Sequence, residues 1–241
     1  MSVIHSRLEL GATEARRIIE ATCSQGLRSV NEPEAKQILV AYGIQTPRGG
    51  LCRTLDEALV LARDIGYPVA VKVVSPQVLH KTEMGGVRVN IVSDDDLREA
   101  YSAIMARVAA KVAVGEIRGV LVEEMAKGSE VIVGATRDPQ FGPLIVFGLG
   151  GIFVEVLKDV AYRLAPVDAV EAMEMIREIR GYPLLAGARG GQPIDENALA
   201  EVIVKVSHLI DDFREIKEID LNPTFVDGDR VVAADARIIL D

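Results

Sequence analysis

From about residue 31 onward, stretches whose apolar residues recur every three or four positions are interleaved with short runs of alternating or continuous Val, Ile and Leu, which predicts mixed α/β structure rather than a bundle or a sandwich. Ahead of them, residues 12–26 place Ala15, Ile18 and Ile19 on one side and read as an isolated helix packed as an appendage. Asn31 and Pro33 open a second helix, whose Ala35, Ile38, Leu39 and Tyr42 share a face and which Gly43 closes. Thr54 and Glu57 have capping-box spacing before a helix over 58–65, and Gly66-Tyr-Pro68 ends it. Strands are predicted over 69–74 and 87–92 as the arms of a hairpin. A long helix follows over 94–114, with Leu97, Tyr101, Ile104 and Val108 at turn spacing.

Further strands are expected at 120–125, 130–135, 144–147 and 161–165, then a helix over 169–179 started by Asp168 and one from Asp195 to about Phe213. Strands at 218–221 and 230–234, turned by Asp227-Gly228-Asp229, finish the chain. A break at 115–119 is the expected hinge. It divides the chain into an N-terminal helical appendage at 1–27, a first lobe at 28–117 and a second at 118–241.

Composition narrows the function. The 241 residues are about half apolar and can build one sizeable core or two smaller ones. The 36 acids against 27 bases give a net charge of -9, which argues against a general nucleic-acid or anionic-membrane surface, so any anionic ligand must be held by local positive groups. Cys23 and Cys52 form no paired motif, and His5, His80 and His208 are scattered, so a zinc cage is not expected. The N-terminus lacks the apolar core of a signal peptide, and the Gly-interrupted run over 141–154 is too short to span a bilayer. A cytoplasmic protein is the expectation.

Several residues carry candidate chemistry. Lys72 lies among valines, where an ammonium is costly to desolvate unless an anion meets it. The loop after it ends in Gly85-Gly86, whose amides can approach an oxyanion. That loop also bears His80. Neutral imidazole is nucleophilic near pH 7 and can take up a phosphoryl group, although a loop histidine also reads as a solvated polar residue. Glu123 and Met125 end a strand that runs into a short linker, the form of a hinge edge that pairs with a flat base, and Glu130 beyond it can accept from ribose hydroxyls. The same stretch reads equally as a hairpin with solvated acids. Asn222 and Asp235 offer one amide oxygen and one carboxylate, as Mg²⁺ accepts when phosphate and water complete its shell, while Asn-Pro also reads as a turn signal and Asp235 as surface charge. Arg189, between glycines, can extend its fork to a phosphate or sit in a solvated loop.

Taken in order, Glu-Pro-Glu-Ala-Lys36, Val-Ala-Val-Lys72, Glu123-Glu-Met, Phe-Gly-Leu-Gly-Gly151, Leu-Asn222-Pro and Ala-Asp235-Ala resemble the ATP-grasp superfamily. More narrowly, Ser75-Pro-Gln-Val-Leu-His80-Lys-Thr-Glu-Met-Gly-Gly86 and the segment from Asp138 to Gly151 resemble the β subunits of ADP-forming acetyl-CoA synthetases, from about residue 28 to the end. The resemblance implies an α/β (α+β) ATP-grasp fold of two mixed-sheet lobes holding ATP or ADP with Mg²⁺ between them. It further implies that Lys72 contacts nucleotide phosphate, Glu123 and Met125 line the adenine hinge, Glu130 meets ribose, Asn222 and Asp235 hold Mg²⁺, and His80 is a phosphohistidine. The partner implied is a CoA-binding α subunit in an α2β2 heterotetramer, with ADP or ATP and phosphate as small-molecule partners and neither nucleic acid nor membrane. A succinyl-CoA ligase β subunit, whose corresponding loop has no such histidine, and a non-catalytic ATP-binding regulatory subunit are the alternatives.

Overall fold

The computed structural model describes residues 2–78, 81–151, 158–190 and 192–241. They form two compact units, one of Pro47–Ala126 and one of Met1–Thr46 with Lys127–Asp241.

The chain starts in the larger unit with α1 (Ser2–Ser24), β1 (Ser29–Val30) and α2 (Glu32–Ala41). Asn31 caps α2 by accepting from the Glu34 amide at 3.1 Å. In the smaller unit follow β2 (Gly49–Cys52), α3 (Leu55–Ile65), β3 (Val69–Val74), β4 (Val87–Ile91), α4 (Asp94–Ala109) and β5 (Gly119–Glu124). Back in the larger unit come β6 (Ser129–Asp138), β7 (Gly142–Leu149), β8 (Val160–Leu164), α5 (Ala169–Glu178), α6 (Tyr182–Leu185), α7 (Glu196–Asp212), β9 (Ile216–Asp227), β10 (Arg230–Ala233) and β11 (Arg237–Leu240).

The smaller unit is a four-stranded sheet in the order β2-β5-β3-β4. One face carries Val69, Val71, Val73, Val120 and Val122, which pack with Ala58, Leu59 and Ala62 of α3 and Leu97, Ala100, Ile104 and Val108 of α4. These are the period-two and period-four positions visible in the sequence. Thr54 accepts from the Glu57 amide, and Glu57 reaches back to the Arg53 amide, one residue before the cap. α4 stops at Ala109 rather than 114, although the Val112 amide still donates to the Val108 carbonyl.

In the larger unit a seven-stranded sheet runs β1-β11-β9-β6-β7-β8, with β10 also on β9. Leu199, Ile203, Val206 and Ile210 of α7, Met175 and Ile176 of α5, and Ile18 and Ile19 of α1 join its core. Every pairing between named strands is antiparallel, so the sheets are not mixed as expected. The reason is local: β3 with β4, β6 with β7 and β9 with β10 are sequential neighbours that return directly on one another.

The lobe boundaries also differ from the expected ones. β5, assigned from sequence to the second lobe, is a central strand of the first sheet, flanked by β2 and β3. The stretch at 115–119 therefore leads into that sheet, and the chain passes between units at 46/47 and 126/127. The N-terminal helix is no appendage either, since Ala15, Ile18 and Ile19 are buried with α2 in the larger core. β11 was not anticipated; it is only four residues long and pairs with β1 and β9 across the sequence. No described helix is long and apolar enough to cross a membrane.

The two thiols differ sharply in surroundings. Cys23 is exposed, whereas Cys52 is buried in β2, and burial pushes its thiol up to about 11. About one Cys52 in a thousand is then thiolate at pH 8. Titration of the native chain with Ellman's reagent at that pH is expected to read Cys23 promptly and Cys52 only after guanidinium is added. Rapid reaction of both would contradict the burial.

Candidate functional site

In the smaller unit the chemistry gathers on the sheet face opposite the apolar core. Lys72 stands opposite Leu121 in the β3–β5 ladder, two positions from Glu123, so the period of two puts lysine and glutamate on one face. Lys72 Nζ lies 3.1 Å from Glu123 Oε2. Lys72 is 7% exposed and Glu123 2%. An ammonium at this depth is tolerated because the carboxylate neutralises it. Glu123, expected at an adenine hinge, is thus the counter-ion of Lys72, and its backbone lies inside the ladders to Gly49 and Ala70. Only from Met125 onward has the chain left the strand. The Met125 sulfur accepts from the Asn90 amide at 3.5 Å, which ties the start of this linker to β4.

The connection from β3 to β4 starts with Ser75, whose hydroxyl accepts from the Gln77 amide, and ends in the glycine pair. The two glycine amides expected to face an oxyanion have partners within the loop. The Gly85 amide donates to the Thr82 carbonyl at 3.0 Å and the Gly86 amide to the Lys81 carbonyl at 2.7 Å, so both are spent on closing the turn. Gly85 has φ of 67°, and a Cβ on Gly86 would stand 2.5 Å from Val73 Cγ1. In this conformation the two glycines set the shape of the turn. His80 lies outside the described residues.

In the larger unit Glu130 sits on β6, exposed, opposite Phe225 of β9. Its carbonyl accepts from the Gly150 amide at 2.9 Å, and a Cβ on Gly150 would fall 2.5 Å from Glu130 Cγ. Part of the Gly148–Gly151 run therefore exists to let the Glu130 side chain lie across it. Arg189 is on a single 3-10 turn, Ala188–Gly190, between α6 and α7.

Asn222 and Asp235 are brought together by an irregularity in β9. Across β6, Val131 pairs with Thr224 and Val133 with Leu221, so Asn222 and Pro223 oppose the single residue Ile132 in a β-bulge. Proline has no amide to give the ladder, and a central strand accommodates it only where the ladder is broken. On its other side β9 changes partner at the same place, from β11 up to Asp220 to β10 from Thr224. Residues 234–236 cross there. The Pro223 carbonyl accepts from the Ala234 amide at 2.9 Å and the Asp235 amide at 3.4 Å, and Asp235 Oδ1 accepts from the Ala236 amide at 2.8 Å. Asn-Pro is thus a bulge inside a long strand and not the turn that its composition also signals.

Asp220, two residues before Asn222, was not singled out from sequence. Burial holds its carboxyl above the usual carboxylate range, opposed by Arg237 and reinforced by Glu218 and Asp235. Arg237 Nη2 reaches Glu218 Oε1 at 2.5 Å and Asp220 Oδ2 at 3.4 Å. Its only sequence signal was an acid next to Asn-Pro. The region around Asn222 and Asp235 is therefore acidic and offers hard oxygen donors, which fits Mg²⁺. No group of three or more His, Cys, Asp or Glu able to hold a metal occurs among the described residues.

The same architecture is found in known proteins. Residues 21–240 match the family model described as an ATP-grasp domain. The chain is 50% identical over 228 residues to the acetate–CoA ligase (ADP-forming) I subunit beta of Pyrococcus furiosus, covering 94% of this chain and 98% of that protein. A structure of acetyl-coenzyme A synthetase 1 from Ca. Korarchaeum cryptofilum, in complex with coenzyme A and Ca-AMPCP, superposes with a TM-score of 0.90 at 42% identity, over 94% of this chain and 100% of that one. Another of the same enzyme, with coenzyme A and Mg-AMPPCP and its phosphohistidine segment pointing towards the nucleotide binding site, gives a TM-score of 0.80 at 38% identity over the same shares. With its fold and almost its whole length shared, this chain belongs to the ATP-grasp family and, within it, to the β subunits of the ADP-forming acetate–CoA ligases.

Proposed function

We propose that this chain is the nucleotide-binding β subunit of an ADP-forming acyl-CoA synthetase, catalysing acyl-CoA + ADP + phosphate = carboxylic acid + CoA + ATP with a CoA-binding α subunit. The observation that carries this reading is Lys72, a cation held inside a strand by Glu123, at the start of the loop that bears His80. The named β subunit of Pyrococcus furiosus supports an α partner, and we read the assembly as an α2β2 heterotetramer working in the cytoplasm.

In the proposed sequence the α subunit converts acyl-CoA and phosphate to acyl phosphate with release of CoA, and its own histidine accepts the phosphoryl group as the carboxylic acid leaves. His80 then takes that group: a new P–N bond to its imidazole forms as the old one breaks. A terminal oxygen of ADP attacks the phosphorus next, forming the P–O bond of ATP and returning His80 as neutral imidazole. Lys72 meets the phosphoryl oxygens, and Glu123 keeps the ammonium charged and aimed before the anion arrives. Backbone from Met125 onward faces adenine, Glu130 accepts from ribose hydroxyls, and the Arg189 fork adds to phosphate binding. Gly85 and Gly86 shape the loop. Asn222 and Asp235 hold Mg²⁺, which when bound offsets the charge of the polyphosphate.

Two measurements test this. In the complex with its α subunit, His80→Ala is expected to lose ATP formation entirely while ADP affinity stays within about twofold, since the histidine acts in the transfer and not in nucleotide binding; retained turnover overturns the relay. Lys72→Met removes the cation beside a buried carboxylate and is expected to cost about 3–5 kcal/mol of stability in urea unfolding. The double variant Lys72→Met/Glu123→Gln should recover most of that stability but not nucleotide affinity. Full recovery of both would make Lys72 a purely structural residue.

A further inference from the structure

A second buried lysine stands behind the Asp235 segment. Glu32 and Lys36 lie one turn apart on α2, and an i, i+4 pair of this kind usually sits in solvent, where it adds a few tenths of a kcal/mol. Here Lys36 Nζ is 2.9 Å from Glu32 Oε1, and the residues are only 6% and 4% exposed. Apolar Ala35, Ile38 and Leu39 already supply the core contacts of this helix. Two apolar side chains in place of the pair would serve stability as well or better, because desolvating both ions offsets their attraction. What the ion pair adds is a third contact: Lys36 Nζ donates to the Ala234 carbonyl at 2.8 Å, across 198 residues of sequence.

Ala234 directly precedes Asp235. Its amide and that of Asp235 are held by the Pro223 carbonyl, next to Asn222. The segment is thus gripped from two sides, by the β9 bulge through its amides and by α2 through its carbonyl. Of the ways to hold a carbonyl, an ammonium is the strongest donor, and a bare positive charge close to a cation site would oppose the ion. Glu32 cancels that charge.

We infer that Lys36, neutralised by Glu32, is a positioning residue that fixes the backbone of Asp235 for divalent-cation binding. The inference rests on the reading of Asn222 and Asp235 as the metal ligands. Outer-shell contacts of this kind are worth about ten- to a hundredfold in metal affinity.

The test is Mn²⁺ binding to the full chain in the presence of ADP, followed by electron paramagnetic resonance, alongside a thermal melt. Glu32→Gln/Lys36→Met removes both charges with little change of shape. It is expected to melt at or above the parent temperature while binding Mn²⁺ about tenfold more weakly. A purely structural pair would shift the melt and leave Mn²⁺ affinity in place, which overturns the inference. Lys36→Arg keeps the charge pair but moves the donor, and serves if the double variant does not fold; unchanged Mn²⁺ affinity in that variant also overturns it. Asp235→Asn separates the two levels. Weaker Mn²⁺ binding there, with parental binding in the α2 variants, defeats the role of Lys36 alone; parental binding in Asp235→Asn defeats the metal site itself and the inference with it.

Discussion

A proline in the middle of a central strand is the constraint from which the larger unit's site follows. β9 has neighbours on both sides, so Pro223 withholds a hydrogen bond the sheet would otherwise require. The ladder yields at that point: Asn222 and Pro223 bulge against Ile132, and on the opposite side β11 gives way to β10. The Pro223 carbonyl, released from strand pairing, collects the amides of Ala234 and Asp235. The backbones that carry Asn222 and Asp235, thirteen positions apart, are thereby held side by side on the sheet. Few arrangements would give the two proposed oxygen ligands so little freedom.

Charge is managed on the same principle in both units. The chain carries a net charge of -9, yet its proposed ligands are a polyphosphate and a cation that offsets part of that charge. The ammonium of Lys72 is placed in a strand next to Glu123, and that of Lys36 on a helix next to Glu32. Neither pair is an economical way to stabilise a core. Each fixes a positive group at a defined point, one at the start of the histidine loop and one behind the Asp235 backbone. Within the larger unit, burial also holds the Asp220 carboxyl above the usual carboxylate range, with Arg237 Nη2 3.4 Å from its Oδ2.

Local features of this fold were legible in the sequence because local chemistry determines them. The caps at Asn31, Thr54, Asp168 and Asp195, the β3–β4 hairpin and the turn at Gly228 all follow from residues within a few positions of each other. Long-range pairing was not. β5 reads as a strand, but nothing in Val-Leu-Val-Glu says that it inserts between β2 and β3, and so the lobe boundary was drawn on its wrong side. The two-residue β1 is a strand only because it pairs with β11, and the four-residue β11 only because it finds β1 and β9. At the site, Lys72 was recognised as needing an anion, while its partner Glu123 was assigned to a hinge, since face and register are invisible without the sheet. Gly85 and Gly86 were read as donors because glycine permits that use; their amides close the turn instead. The family resemblance reached Asn222 and Asp235, and the bulge explains why their backbones lie side by side.

His80 is proposed to carry a phosphoryl group to and from the nucleotide held by this chain. Incubating the full chain with Mg²⁺ and ATP labelled in its γ-phosphate, then mapping the label under alkaline and acidic conditions, measures it directly. The expected result is label on His80 that survives base, is released by acid and is discharged by added ADP. Nucleotide binding with no label on His80 would contradict it.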